Sequence, residues 1–112
     1  MTVLIVDNHR LFRTLLKSVL GDLATEIREA TDGVQALEVY AAQPADWVLM
    51  DLKMQPLDGL TATRELLRRF PQARVVLLSS YDETELRAAA QAAGAIYVAK
   101  DDLVQLRQIL CS

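Results

Sequence analysis

A single cysteine, Cys111, stands in a chain of 112 residues, so no internal disulfide can form and no thiolate cluster can hold zinc. No apolar run approaches the ~18 residues that a membrane helix needs. The opening Met1-Thr2-Val3 is not a signal peptide, and a cytoplasmic protein without a membrane partner is the expectation. Positive charge is short as well: 12 Lys and Arg face 15 Asp and Glu, leaving a net charge of −3. That balance argues against the domain gripping nucleic acid by itself. Internal repeats, low-complexity stretches and linkers are missing, and a chain 52% apolar and 24% charged is neither disordered nor collagen-like. What remains is one domain, residues 1–112, of a size that buries roughly two-thirds of its unfolded surface.

Two hydrophobic patterns alternate along it. Short continuous apolar runs stand at Val3–Val6, Trp47–Met50, Val75–Leu78 and Ile96–Ala99, as strands buried on both faces of a parallel sheet require. A fifth, weaker candidate lies at 25–30, where only Ile27 and Ala30 are clear core residues among Glu26, Arg28 and Glu29, the pattern of an edge strand. Between the runs, apolar residues recur at steps of three and four. Leu11, Phe12, Leu15, Leu16, Val19 and Leu20 form one stripe, stopping at Gly21. Val34, Leu37 and Tyr40-Ala41 form a second, ended by Pro44; Leu60, Thr63, Leu66-Leu67 and Phe70 form a third, ended by Pro71. Leu86, Ala89-Ala90 and Ala93 precede Gly94 at a C-cap position, and Leu103, Leu106 and Ile109-Leu110 complete the last. Strand then helix, five times over, predicts an α/β fold with right-handed crossovers and helices on both faces of a parallel sheet.

Function in such sheets gathers at the carboxyl ends of the strands. The first run ends in Asp7-Asn8, the third-strand run in Asp51, the next in Ser79-Ser80 and the last in Lys100. Singly, each has an ordinary explanation as a cap, a turn former or a surface charge. Together they place two acids, a hydroxyl and an ammonium on one rim. Asp7 and Asp51 repel at close range, which a hard divalent cation relieves, and magnesium favours one or two carboxylates plus phosphate oxygens. A carboxylate beside a cation, an ammonium and a hydroxyl is arranged to accept a phosphoryl group.

These residues bring a known family into view. Val3-Leu4-Ile5-Val6-Asp7, Val48-Leu49-Met50-Asp51-Leu52-Lys53-Met54, Asp58-Gly59, Leu77-Leu78-Ser79, and Gly94-Ala95 through Tyr97 to Lys100 stand in the order and spacing of receiver domains of two-component response regulators. The chain resembles that family over essentially its whole length. The resemblance implies a flavodoxin-like (βα)5 doubly wound sheet of order 2-1-3-4-5 and a phosphorylation-controlled signalling module, not a classical enzyme. It implies that Asp51 accepts a phosphoryl group from a sensor histidine kinase. Mg2+ is then held by Asp7, Asn8, Asp51 and the backbone carbonyl of Lys53. Lys100 binds the phosphoryl group, Ser79 is the switch hydroxyl, and Tyr97 is the aromatic that turns inward on activation.

Three departures stand out. Asn8 replaces the second acid after the first strand, removing one negative charge and predicting weaker magnesium binding. Met54-Gln55-Pro56 has an extra residue between methionine and proline, which predicts a reshaped loop. Asp101 follows Lys100 where many receivers carry a proline, so a trans link is expected there. With Ser79-Ser80-Tyr81 before the fourth helix, the chain looks most like receivers with a C-terminal helix-turn-helix output domain. It stops at Ser112, just past the fifth helical pattern. DNA contact is thus expected only through an output module outside this chain, either as an excised regulatory domain, the favoured reading, or as a stand-alone receiver.

Rival readings fit less well. A haloacid-dehalogenase-type phosphohydrolase needs a second acid where Lys53 stands, and a flavodoxin needs a hydroxyl- and glycine-rich loop where Asp7-Asn8-His9-Arg10 stands. A receiver that serves only as a phosphorylation-independent docking or homodimerisation module is kept alive by Asn8. Elsewhere, His9 is expected to open the first helix and face solvent, and Trp47 to plug the core. Arg64, Arg68 and Arg69 are expected to form a solvated face and Cys111 a frayed end, while the last two helices offer the natural partner surface.

Overall fold

The computed structural model describes residues 1–80 and 83–112; Tyr81 of the Ser79-Ser80-Tyr81 pattern lies outside them. Strands and helices alternate as β1 (Thr2–Val6), α1 (Arg10–Leu20), β2 (Glu26–Ala30), α2 (Gly33–Ala42), β3 (Trp47–Asp51), α3 (Gly59–Arg69), β4 (Val75–Ser79), α4 (Thr84–Ala93), β5 (Ile96–Ala99) and α5 (Leu103–Cys111). The strands pair in parallel in the order β2-β1-β3-β4-β5, so the chain order reverses between β1 and β3. The apolar runs of β1, β3 and β4 behave as their patterns require. β5 departs from the both-faces expectation: it stands at one edge of the sheet, with Ile96 exposed and only Tyr97 and Val98 buried. β3 and β4 are buried at every residue, while β2 lies at the edge with only Ala30 fully covered.

Alternation along the strands divides the core in two. Leu4, Val6, Val48, Met50, Leu77 and Tyr97 meet the α2, α3 and α4 side chains Tyr40, Ala62, Leu66 and Ala90. Val3, Ile5, Leu49, Leu78 and Val98 meet Leu16 and Leu20 of α1 and Leu106 and Leu110 of α5. Burying each such aliphatic side chain is worth about 1.5–3 kcal/mol. No described helix is long and apolar enough to cross a membrane.

Several expectations are corrected at the helices. Leu11 is 84% exposed and Leu15 47% exposed; α1 turns Phe12, Leu16, Val19 and Leu20 to the sheet, and two apolar residues fall outside that arc. Val34 is likewise exposed. Gly21 ends α1 with right-handed backbone angles, so the glycine is not a left-handed cap. Gly94 is one, with φ of 93° and its N–H bonded to the carbonyls of Ala90 and Gln91. Trp47 is buried, and the Arg74 guanidinium lies 4.4 Å from its ring centroid. Arg68 and Arg69 both pair with Glu65 on the outer side of α3. Cys111 is exposed.

The Asp58-Gly59 corner between β3 and α3 has a local cause. The Asp58 carboxylate accepts the Thr61 backbone N–H at 2.8 Å, capping α3, and the Gly59 N–H donates to the Leu52 carbonyl at 2.8 Å. That closeness leaves no room for a side chain, because a Cβ on Gly59 would stand 2.0 Å from the Asp51 carbonyl oxygen. Gly59→Ala is therefore expected to cost about 3 kcal/mol, the upper range for overpacking against backbone. Gly94→Ala, which strains only a positive φ, costs about 1–2 kcal/mol. Urea midpoints of the two variants check the order; a Gly59→Ala loss no larger than that of Gly94→Ala contradicts it.

Candidate phosphoacceptor site

Residue parity carries the strand ends to one place. Asp7 and Lys100, just past their strands, and Asp51, at the end of β3, stand two residues on from Ile5, Val98 and Leu49 respectively, the residues facing α1 and α5. Their side chains meet above that layer. The Lys100 ammonium lies 2.9 Å from Asp7 Oδ2 and 3.2 Å from Asp51 Oδ1, and 4.5 Å from the centre of the Phe12 ring on α1. Asp7 and Asp51 are buried, so these charges interact in surroundings that screen them less than water. The Asp51 carboxyl is pushed above its ordinary range, first by burial and then by the charge of Asp7. Lys100 and the Lys53 backbone N–H oppose that rise by pairing with the carboxylate.

Asp7 is held from several sides. Its Oδ1 accepts the His9 backbone N–H at 2.7 Å and stands 3.0 Å from His9 Nδ1, while the Arg13 guanidinium donates to its carbonyl at 2.7 Å. Arg13 thus fixes the Asp7 backbone, and the carboxylate cannot swing away without breaking its two contacts to His9 and its contact to Lys100.

A pocket of about 170 Å3 opens beside Asp51, walled by His9, Lys53, Ser79, Ser80 and Lys100. The Ser79 hydroxyl comes from the opposite parity, that of Leu77, and so approaches the pocket from the α3–α4 side. A neighbouring hollow of about 330 Å3 is lined by Asn8, Lys53, Met54, Gln55 and Asp58. Its loop carries a cis Gln55–Pro56 bond, whereas Lys100–Asp101 is trans, as expected without a proline.

The structure thus brings Asp7, Asp51 and Lys100 into contact, sets Ser79 and Lys53 in the same pocket wall, and puts Asn8 at the adjoining hollow. Tyr97 lies apart, buried on the α4 side with the Arg87 guanidinium 4.6 Å from its ring centroid. His9 does open α1 and its side chain is 68% exposed, yet its ring nitrogen also reaches the Asp7 carboxylate, which the solvent-facing expectation missed. Arg13 and Phe12 were missed too. The only available signal was their spacing, one turn beyond the Asp7–His9 loop.

Donor atoms of Asp7, His9 and Asp51 lie within 4.8 Å of one another. Two buried carboxylates facing a single ammonium fit a divalent cation, because one positive charge does not balance both.

Comparison with known proteins places the chain in a family. The response regulator receiver domain family matches residues 3–110. The chain is 34% identical to the uncharacterized transcriptional regulatory protein YhcZ of Bacillus subtilis (strain 168), covering 97% of this chain and 54% of that protein. It thus spans about half the length of that relative. It superposes on a LuxR-family two-component response regulator from Aurantimonas sp. SI85-9A1 with a TM-score of 0.86 and 26% identity, covering 98% of this chain and 84% of the other. The signal receiver domain of NarL from Mycobacterium tuberculosis matches with a TM-score of 0.82 and 31% identity, over 90% of this chain and 84% of the other. A doubly wound sheet of order 2-1-3-4-5, with two acids and a lysine meeting at its switch point, is accompanied by a family match over nearly every residue: the chain belongs to the receiver domains of two-component response regulators.

Proposed function

We propose that Asp51 is the phosphoacceptor of this receiver and that residues 1–112 form the regulatory unit of a longer regulator of the LuxR/NarL type. The observation that carries the assignment is the Asp51 carboxylate, buried yet open to a pocket, 3.2 Å from the Lys100 ammonium. The phosphodonor is a sensor histidine kinase. An Asp51 oxygen attacks the phosphorus of its phosphohistidine, a P–O bond forms as the P–N bond breaks, and the imidazole leaves with a proton. Lys100 neutralises the transferred oxygens and Ser79 donates a hydrogen bond to one of them. Mg2+, when bound by Asp7, Asp51, the Asn8 amide oxygen and the Lys53 carbonyl, supplies positive charge against the phosphoryl oxygens. Ser79 and Tyr97 couple the site to the α4–β5–α5 surface, since Ser79 pairs in register with Ala99, two residues beyond Tyr97. That surface is where a partner, or a second copy of the chain, would sense the change, and DNA would be reached only through a separate output module. Asn8 favours one other reading, a receiver that docks without phosphorylation.

With acetyl phosphate and magnesium, intact mass is expected to rise by one phosphoryl group, and Asp51→Asn to abolish the rise; a persistent rise in that variant overturns the assignment. The same variant reports on electrostatics. A carboxyl whose folded pKa is raised contributes stability at low pH, below its unfolded value, and loses it as pH climbs through the folded value. Asp51→Asn is therefore expected to be more stable than the parent at pH 7 in chelator, with the difference vanishing towards pH 3. Melting curves across pH read this directly, and a variant less stable at pH 7 contradicts it.

Lys100→Met removes the larger of the two influences that oppose the rise of Asp51. Carboxyl NMR titration is expected to place Asp51 higher still in that variant, and an unchanged or lower value contradicts the pairing. Asn8→Asp adds a third carboxylate beside Asp7 and Asp51. It is expected to lower stability in chelator and to tighten magnesium binding by roughly tenfold, about 1.4 kcal/mol. Thermal melts with and without magnesium check both. An Asn8→Asp protein with no larger magnesium-dependent rise in Tm than the parent places Asn8 away from the cation.

A further inference from the structure

We infer that Phe12 is a positioning residue for phosphoryl transfer: the face of its ring keeps the Lys100 ammonium at the rim when the carboxylates that now bind it are engaged elsewhere. The inference rests on the reading that Asp51 accepts the phosphoryl group and Lys100 neutralises it.

The contacts of Lys100 carry it. Its Nζ lies 2.9 Å from Asp7 Oδ2, 3.2 Å from Asp51 Oδ1 and 4.5 Å from the centre of the Phe12 ring. An ammonium offers three donors. Two carboxylates stand within reach of them, and the ring supplies a third attraction, inside the roughly 6 Å over which the negative face of an aromatic ring draws a cation. Only 14% of the Lys100 side chain is exposed. Little water competes for the charge, and the pull of the ring is stronger than at an open surface.

The three partners differ in what function asks of them. Asp7 and Asp51 are the carboxylates proposed to hold Mg2+, and Asp51 is also the group proposed to be phosphorylated, so both have other calls on their charge. The Phe12 ring is neutral, ligates no metal and takes no phosphoryl group, and its pull on the ammonium is the same before and after. A Lys100 held by carboxylates alone would be loosened just as the phosphoryl oxygens arrive. Held by the ring as well, it stays within reach of them, which is preorganisation. The ring is itself fixed. Phe12 packs against the core layer of Leu16 and Leu20, and the next residue, Arg13, donates to the Asp7 carbonyl at 2.7 Å and to Glu29 Oε1 at 3.0 Å. The opening turn of α1 is thereby tied to the end of β1 and to β2, and with it the distance of the ring from the rim.

The test replaces Phe12 with leucine and, by amber suppression, with mono-, di- and trifluorinated phenylalanine. Leucine keeps much of the apolar volume and lacks the charged ring face. Fluorine withdraws charge from that face stepwise while the ring keeps its shape, so the fluorinated proteins retain the core packing. The rate of phosphorylation by acetyl phosphate with magnesium is expected to fall stepwise along the fluorinated series, and by on the order of tenfold in Phe12→Leu. If Phe12→Leu does not fold, the fluorinated series decides alone. A second readout needs neither donor nor metal: the proton NMR signal of the Lys100 ε-methylene, which a ring lying against the ammonium moves upfield. That displacement is expected for wild type in chelator, and is expected to persist when magnesium and beryllofluoride are added. Rates that ignore the fluorine count, or an upfield displacement lost on adding magnesium and beryllofluoride, would show that Phe12 only fills space, and would overturn the inference while leaving the Asp51 reading intact. Wild-type protein that takes up no phosphoryl group overturns both.

Discussion

The ammonium of Lys100, set between two buried carboxylates, is the contact on which the carboxyl-terminal rim depends. It joins the ends of β1, β3 and β5, spanning 93 residues of sequence to Asp7. Neither acid is neutralised completely, so the rim keeps a charge that a cation or a phosphoryl group changes. Removing Lys100 would strand two buried carboxylates, whereas removing Asp51 leaves Lys100 paired with Asp7. Burial supplies the tension: it raises Asp51, Asp7 raises it further, and Lys100 holds it back. The same three charges hold the rim together, and under the proposed function they are the ones that would receive a phosphoryl group.

The fold delivers those charges by geometry alone. Reversal of strand order between β1 and β3 leaves a crevice at their carboxyl ends. Parallel register sets Val6 beside Met50 and Ser79 beside Ala99, so the residues that follow arrive at one height. The corner at Asp58-Gly59 closes the other side, bringing α3 against the backbone of Asp51 where only hydrogen fits. Site and core are thereby continuous.

Much of this was legible beforehand because it follows from strong local rules. Unbroken apolar runs of four specify strands, covered on both faces at β1, β3 and β4 though not at the edge strand β5, and polar residues ending four such runs must share an edge once the sheet is parallel. The helices were less legible. A stripe of six apolar residues in α1 is wider than the arc a sheet covers, and period alone does not say that Leu11 and Leu15 fall outside it. His9 was underestimated for a different reason. Whether a ring two residues beyond a strand-end acid points out or back depends on the turn, and that turn is set by the His9 N–H bonding to Asp7, a contact no pattern reveals. Tyr97 is buried beneath Arg87, a pairing across α4 and β5 that spacing does not announce.

The most direct test of the account is a beryllofluoride titration in the presence of magnesium, followed by the amide signals of Ser79 and Lys100 and the ring signals of Tyr97. Beryllofluoride stands in for the phosphoryl group on a carboxylate. If Asp51, Lys100 and Ser79 form one phosphoryl site coupled to the α4–β5–α5 surface, all three sets of signals shift together and saturate at one equivalent, and none shifts in Asp51→Asn. Signals that stay in place with wild-type protein, or that move equally in Asp51→Asn, contradict it.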